Sequence, residues 1–147
     1  MDNLGAQFSV TPTDGWDVYL NYISGSLFEQ WDVTTGYQLS DAFYLGLNVS
    51  ENTKYAGDES GFFGIAGYAQ YAITESTGLG VRYESFDIGA GGPNISAFTF
   101  SANIKDGPLT FIPEFRFDTA DGDLFIDSDG APSDAFSQVT LAAVYSF

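Results

Sequence analysis

The sequence predicts an all-β protein, an antiparallel up-and-down transmembrane β-barrel of about eight to nine strands. Three observations favour this fold class. Apolar and polar residues alternate with a period of two along the whole chain. The connections alternate between tight turns and longer loops. The apolar side of the pattern is dense in Phe, Tyr, Trp and Leu, whereas the other side is too polar and glycine-rich for a dry core. We therefore expect the apolar side to face outwards.

The composition excludes several other classes of protein. The chain has 147 residues without Cys or His, and its 20 acidic and 4 basic side chains give a net charge of −16. Because 17% of the residues are aromatic, we expect a folded chain rather than a disordered acidic tail. Without thiolates or imidazoles we expect no cofactor, no metal centre and no enzyme activity. The few basic residues are scattered, so we expect no nucleic-acid partner.

Strand-like alternation in the first part of the chain is interrupted by turn residues. It predicts strands at Leu4–Val10, Trp16–Tyr22, Trp31–Leu39 and Phe43–Val49. Thr11-Pro12-Thr13-Asp14-Gly15 separates the first two strands, because Pro and Asp-Gly favour a tight turn. Ser40-Asp41 separates the third from the fourth.

The same alternation continues to the end of the chain. It predicts strands at Phe63–Ile73, Gly78–Glu84, Ala97–Ile104, Leu109–Phe117 and Val139–Phe147. Short turns are expected at Thr74-Glu75-Ser76 and Lys105-Asp106-Gly107-Pro108. The longer connections are expected at Ser24–Phe28, Glu51–Gly61, Asp87–Asn94 and Asp118–Ser137. Tight turns at one end and loops at the other are typical of outer-membrane barrels.

Aromatic residues at the strand ends also indicate a membrane barrel. Two girdles are expected, with Trp16, Phe43, Tyr71, Tyr145 and Phe147 at the turn end and Tyr22, Trp31, Phe63 and Phe117 at the loop end. We expect the barrel to close, because open edges leave backbone groups unpaired in lipid. A soluble barrel that binds an apolar ligand, with the apolar face inside, is the alternative interpretation. No apolar run approaches the roughly 18 residues of a transmembrane helix.

Charged residues at inward positions are the candidate functional residues. They are Asp17, Asp32, Arg82, Glu84, Glu114 and Arg116. In a wide barrel these side chains would line the lumen, and their acidic excess would favour cations. In a narrow barrel Arg82 and Arg116 would instead pair with Glu84 and Glu114, because a lone buried charge is costly.

The acidic loop from Asp118 to Asp134 has two interpretations. Its many carboxylates could bind calcium, but their spacing matches no EF-hand. A solvated acidic loop is therefore the favoured interpretation. Within it, Leu124-Phe125-Ile126 either folds inward as a constriction, packs on a partner or forms an exposed tip.

Several segments resemble a known family. The last residues, Thr140-Leu141-Ala142-Ala143-Val144-Tyr145-Ser146-Phe147, resemble the C-terminal signature of bacterial outer-membrane barrels. Trp16–Ile23, Gly78–Asp87 and Ile112–Asp118 resemble the C-terminal part of the putative β-barrel porin-2 family. The resemblance implies passive diffusion of ions or small solutes across the bacterial outer membrane. It also implies that outer-membrane lipid surrounds the chain, and that assembly machinery pairs with a terminal strand carrying Leu141, Ala143, Tyr145 and Phe147.

The length departs from that of a conducting porin. Such porins have about 16 to 18 strands, whereas about eight strands close around a lumen filled by side chains. An odd strand count would put Met1 on the loop side. Residues 1–147 are therefore expected to be one barrel domain. The chain is expected to be a fragment of a larger porin, an excised or engineered small barrel, or a chain that closes a wider barrel with copies of itself. No export signal begins at Met1, so it is expected to be absent or already removed. A closed scaffold without conductance is the competing function.

Overall fold

All regular structure in the described part of the chain is β-strand. The computed structural model describes residues 3–56 and 61–147. The long strands are β1 Asn3–Thr13, β2 Trp16–Gly25, β3 Phe28–Ser40, β4 Phe43–Tyr55, β5 Phe62–Ala72, β6 Thr77–Asp87, β7 Asn94–Asp106, β8 Leu109–Ala120 and β11 Ala135–Tyr145. They form one nine-stranded antiparallel sheet in chain order. The predicted all-β, up-and-down fold is confirmed. Within these residues no helix has the length and apolar character to cross a membrane.

The strand register keeps the apolar residues on one face. Between β4 and β8, and between β8 and β11, each pair of strands runs without a register shift. Because side chains alternate with a period of two, such a register assigns each residue to one face. One apolar row across the sheet consists of Leu45, Ala69, Val81, Phe100, Phe115 and Val139.

The two faces differ in exposure. On the apolar face Phe100 is 53% exposed and Val139 is 79% exposed. The buried residues lie on the polar face, and among the described residues only Ala66 and Ala97 are buried hydrophobics. A soluble barrel with its apolar face inside would bury the large aromatic side chains, so the structure contradicts that alternative.

Aromatic rings pair across neighbouring strands at both ends of the apolar face. At the turn end the Trp16 and Tyr37 ring centroids are 6.2 Å apart, in an edge-to-face arrangement. At the loop end the Tyr22 and Trp31 rings are 4.3 Å apart. Such pairs add to the stability of a sheet beyond the area that they bury.

Several loop boundaries differ from the sequence-based predictions. Ser24–Phe28 is not a long loop, because only Ser26 and Leu27 separate β2 from β3. The predicted loop Glu51–Gly61 begins later, since β4 extends to Tyr55, and residues 57–60 lie outside the described residues, as does Met1. The predicted acidic loop is also shorter at both ends. The residues near the loop ends of these strands are polar, so they do not show the apolar–polar alternation that predicts a strand. They nevertheless pair with the neighbouring strands through their backbones.

The remaining acidic loop contains a small hairpin. β9 (Phe125–Ile126) pairs with β10 (Pro132–Ser133) between β8 and β11. The Asp127 carboxylate accepts hydrogen bonds from the backbone N–H groups of Asp129, at 2.9 Å, and Ala131, at 2.8 Å. These bonds stabilise the turn that joins the two short strands.

The sheet is open between β1 and β11. Within the described residues no strand pairs with the outer edge of either one. Nine strands with antiparallel neighbours leave β1 and β11 running in the same direction. A seam between them would be a parallel pair, which has a different hydrogen-bond geometry from the rest of the sheet. The closure expected from the sequence is therefore not present between these strands.

A lysine on the apolar face should destabilise the protein in lipid. Leu47 lies in the middle of β4 and faces outwards. We expect Leu47→Lys to lower the free energy of unfolding by about 2–4 kcal/mol, because a charge near the bilayer midplane is costly. Urea titration of protein refolded into lipid vesicles would measure the change. Gln70→Lys, at an exposed position on the polar face of β5, is the matched control, and an equal loss in both variants would contradict the orientation.

Candidate functional site

The charged residues predicted to point inwards all lie on the polar face. They are Asp17, Asp32, Arg82, Glu84, Glu114 and Arg116. The structure does not bring them into a single cluster. Arg82, Glu84 and Arg116 belong to an ionic cluster on β6 and β8, whereas Asp32 belongs to a separate network centred on β3. Asp17, on β2, accepts a hydrogen bond from the Thr11 hydroxyl at 2.6 Å.

The ionic cluster consists of Arg82, Glu84, Arg116 and Asp118. Glu84 lies between the two arginines and forms an ion pair with each. Arg116 Nε donates to both Asp118 oxygens at 3.0 and 3.1 Å, and Arg116 Nη2 lies 2.8 Å from Asp118 Oδ1. The Arg116 and Asp118 side chains are 25% and 10% exposed. Two guanidinium groups and two carboxylates thus compensate one another.

Small side chains on β7 make this cluster possible. In the sheet register Thr99 lies between Arg82 and Arg116, and Ala97 lies between Glu84 and Asp118. Ala97 is 1% exposed and Thr99 is 9% exposed, so both are covered by the longer side chains. Because these two residues are short, Arg116 reaches across a whole strand to Glu84.

The prediction that Glu84 and Glu114 pair with the two arginines was partly wrong. Glu114 makes no ion pair or side-chain hydrogen bond within residues 3–56 and 61–147, and Asp118 takes its place. The sequence prediction assigned Asp118 to the acidic loop, but it lies in β8 and is 7% exposed. The alternation of Glu114, Arg116 and Asp118 continues the period of two and was the signal for this placement.

Asp32 is the acceptor of a second network near the loop end. Asn21 Nδ2 donates to its carboxylate at 3.0 Å, Asn48 Nδ2 at 2.9 Å and the Ser50 hydroxyl at 2.7 Å. Gln7 on β1 donates to Asn21 Oδ1 at 2.6 Å. This network therefore joins the polar side chains of four adjacent strands and satisfies a charge that would otherwise be costly to bury.

The small hairpin of the acidic loop covers part of the polar face. The Phe125 and Phe136 rings stack with centroids 5.9 Å apart. Phe125, Phe62 and Phe86 line a cavity of about 440 Å³ together with the ionic cluster. Leu124 and Ile126 are 45% and 62% exposed, so only the middle residue of this apolar triplet folds inwards. In the described residues, no group of acidic side chains is arranged to hold a metal ion.

Glu84 should contribute more to stability than Glu114. We expect Glu84→Gln to lower the free energy of unfolding by about 1.5–3 kcal/mol, because it removes a charge-assisted hydrogen bond from Arg116 and the ion pairs with both arginines. Glu114→Gln, the matched control, should change it by less than about 0.5 kcal/mol. Urea unfolding of vesicle-refolded protein, followed by tryptophan fluorescence, would measure both. A larger effect at Glu114 would contradict the cluster.

Comparison with known proteins supports the fold and the family resemblance. A search of curated proteins found no match. The model of the family described as putative beta-barrel porin-2, OmpL-like, matches residues 1–147, which is the whole chain. The resemblance seen in the sequence is thereby confirmed. The uninterrupted antiparallel sheet, with one apolar and one polar face, is the architecture that a transmembrane barrel of this kind requires. The chain belongs to the putative beta-barrel porin-2, OmpL-like, family.

Proposed function

We propose that the chain forms the wall of a water-filled pore in the bacterial outer membrane, through which ions and small solutes diffuse passively. The observation that carries the proposal is the polar face, which continues across every long strand. The opposite face of the sheet is apolar and exposed. Membership of a β-barrel porin family supports the membrane location and the porin-like role. The role is transport rather than catalysis, and the chain has neither His nor Cys to serve as a catalytic base or nucleophile.

The charges of the polar face support a preference for cations. The proposed lumen residues are Asp17, Asp32, Arg82, Glu84, Glu114 and Arg116, with Asp118 added from the structure. Five of these are carboxylates and two are guanidinium groups, so these seven side chains carry an excess of three negative charges. A lumen with such an excess concentrates cations and repels anions.

The proposal also includes partners for the outer face and the free edges. Outer-membrane lipid would contact the apolar face. The assembly machinery would pair with the free edge of β11, whose outward residues include Leu141, Ala143 and Tyr145, with Phe147 following the strand. A homo-oligomer would use the free edges of β1 and β11 to continue the sheet.

A closed scaffold without conductance is the second candidate. The compensated ionic cluster and the Phe125 side chain, which folds over the polar face, favour it. Such groups would fill a narrow lumen, as in small outer-membrane barrels. Conductance separates the two candidates.

Single-channel recording tests the pore and its selectivity. We expect the detergent-refolded chain to give steady current steps in a planar bilayer, with a reversal potential that shows cation preference in a KCl gradient. The double change Asp17→Asn/Glu114→Gln should move the reversal potential towards zero. It removes two negative charges that are not part of the ionic cluster.

The control variant is Glu75→Gln, in the tight turn between β5 and β6, which should leave the reversal potential unchanged. Inserted protein that carries no current would contradict the pore and favour the scaffold. An anion-selective current would contradict the proposed role of the acidic excess.

A further inference from the structure

Two tyrosines on the polar face lie against glycines of the neighbouring strand. Tyr68 on β5 is directly opposite Gly46 on β4, and Tyr44 on β4 reaches Gly36 on β3. A methyl group on Gly46 would overlap the Tyr68 ring, and one on Gly36 would overlap the Tyr44 hydroxyl. The missing side chains thus allow the two rings to lie over the sheet. We name Tyr44 and Tyr68 the tyrosine platform.

The rings of the platform are adjacent and accessible. Their centroids are 6.2 Å apart, and their planes are inclined by 32°. Both side chains are half-buried, since one side packs on the sheet and the other lines a depression of about 790 Å³ on the polar face. That volume lies within the range of about 300–1,000 Å³ typical of small-molecule sites.

Polar side chains that make no hydrogen bond within the described ranges surround the platform. Gln70 and Asn103 line this depression and also a second one of about 270 Å³, which Tyr68 shares. Arg82 and Glu114 line the second depression. In the described ranges the side chains of Gln70, Asn103 and Glu114 make no hydrogen bond with the protein. The two depressions share Tyr68, Gln70 and Asn103 and therefore adjoin each other, and together we name them the groove. Its flat aromatic surface is bordered by amides and charged groups.

We propose that this groove binds a neutral polyhydroxylated solute, such as a sugar, as it passes along the polar face; the inference rests on the proposed pore function. One face of a pyranose ring presents C–H groups, which pack on an aromatic ring. Its hydroxyls both donate and accept hydrogen bonds, and the carboxamides of Gln70 and Asn103 offer both kinds of group. Arg82 and Glu114 extend the same capacity to the second depression.

The lining favours a neutral solute over an ion. Arg82 is already paired with Glu84, so the groove has no free guanidinium to hold an anion. Glu114 is its one uncompensated carboxylate among the lining residues described, apart from Asp41 at the turn end of the first depression. These two acids lie in different depressions and do not form a shared cation site.

Saturation-transfer NMR with maltose tests the site directly. The full chain would be refolded in a detergent that lacks a sugar headgroup, and saturation of its aromatic protons should transfer to the C–H protons of maltose. We expect Tyr44→Ala and Tyr68→Ala each to lower the affinity by roughly two- to tenfold. Tyr68→Phe should keep the transfer, because the aromatic face remains.

The matched control is Tyr83→Ala, which removes a tyrosine from the apolar face of β6. It should leave maltose binding unchanged. If Tyr68→Ala does not refold, Gln70→Ala and Asn103→Ala test the hydrogen-bonding border of the groove and should also weaken binding. No transfer in the parent protein, equal loss in Tyr83→Ala, or binding of indole but not of maltose would overturn the proposal.

The outcome is separable from that of the pore. Conductance in KCl without maltose binding would overturn the sugar site and leave the pore intact. Maltose binding by protein that does not conduct would support the groove as a binding site and contradict the pore.

Discussion

Backbone pairing of neighbouring strands in a defined register is the constraint on which the rest of this structure depends. In lipid an unpaired N–H or C=O group costs several kcal/mol, so only strands that pair along their length can cross. Eight antiparallel ladders meet that requirement for every long strand except at the outer edges of β1 and β11. The same register fixes the face of each side chain, because a slip by one residue would exchange the two faces. The chemistry of the polar face is therefore a consequence of the strand pairing.

Small residues decide which polar side chains meet. Because the side chains of Ala97 and Thr99 on β7 are short, the Arg116 side chain can extend across that strand to Glu84. Gly36 and Gly46 leave space for the rings of Tyr44 and Tyr68. In both places a long side chain lies over a short one on the neighbouring strand. The first of these arrangements pairs charges without a hydrophobic core, and both leave the apolar side chains free to contact lipid.

The sequence predicted the strands and their faces well, because the period of two is a local property that survives without tertiary information. It predicted the cross-strand contacts poorly. Asp118 was assigned to a loop because acidic residues follow it, although its position continues the alternation of Glu114 and Arg116. The hydrogen bonds to Asp32 from Asn21, Asn48 and Ser50 come from the two neighbouring strands and depend on the register, which the sequence does not specify. The tyrosine platform was missed for the same reason, since each glycine and its ring lie on different strands.

Cysteine accessibility tests most directly the claim that the polar face contacts water and the apolar face contacts lipid. The chain has no native cysteine, so each single-cysteine variant reports on one position. Four consecutive positions of β7 would be replaced in turn: Phe100, Ser101, Ala102 and Asn103. In lipid vesicles a charged, water-soluble thiol reagent should label the variants at Ser101 and Asn103 and leave those at Phe100 and Ala102 unmodified. Uniform labelling, or labelling of Phe100 and Ala102 alone, would contradict the account.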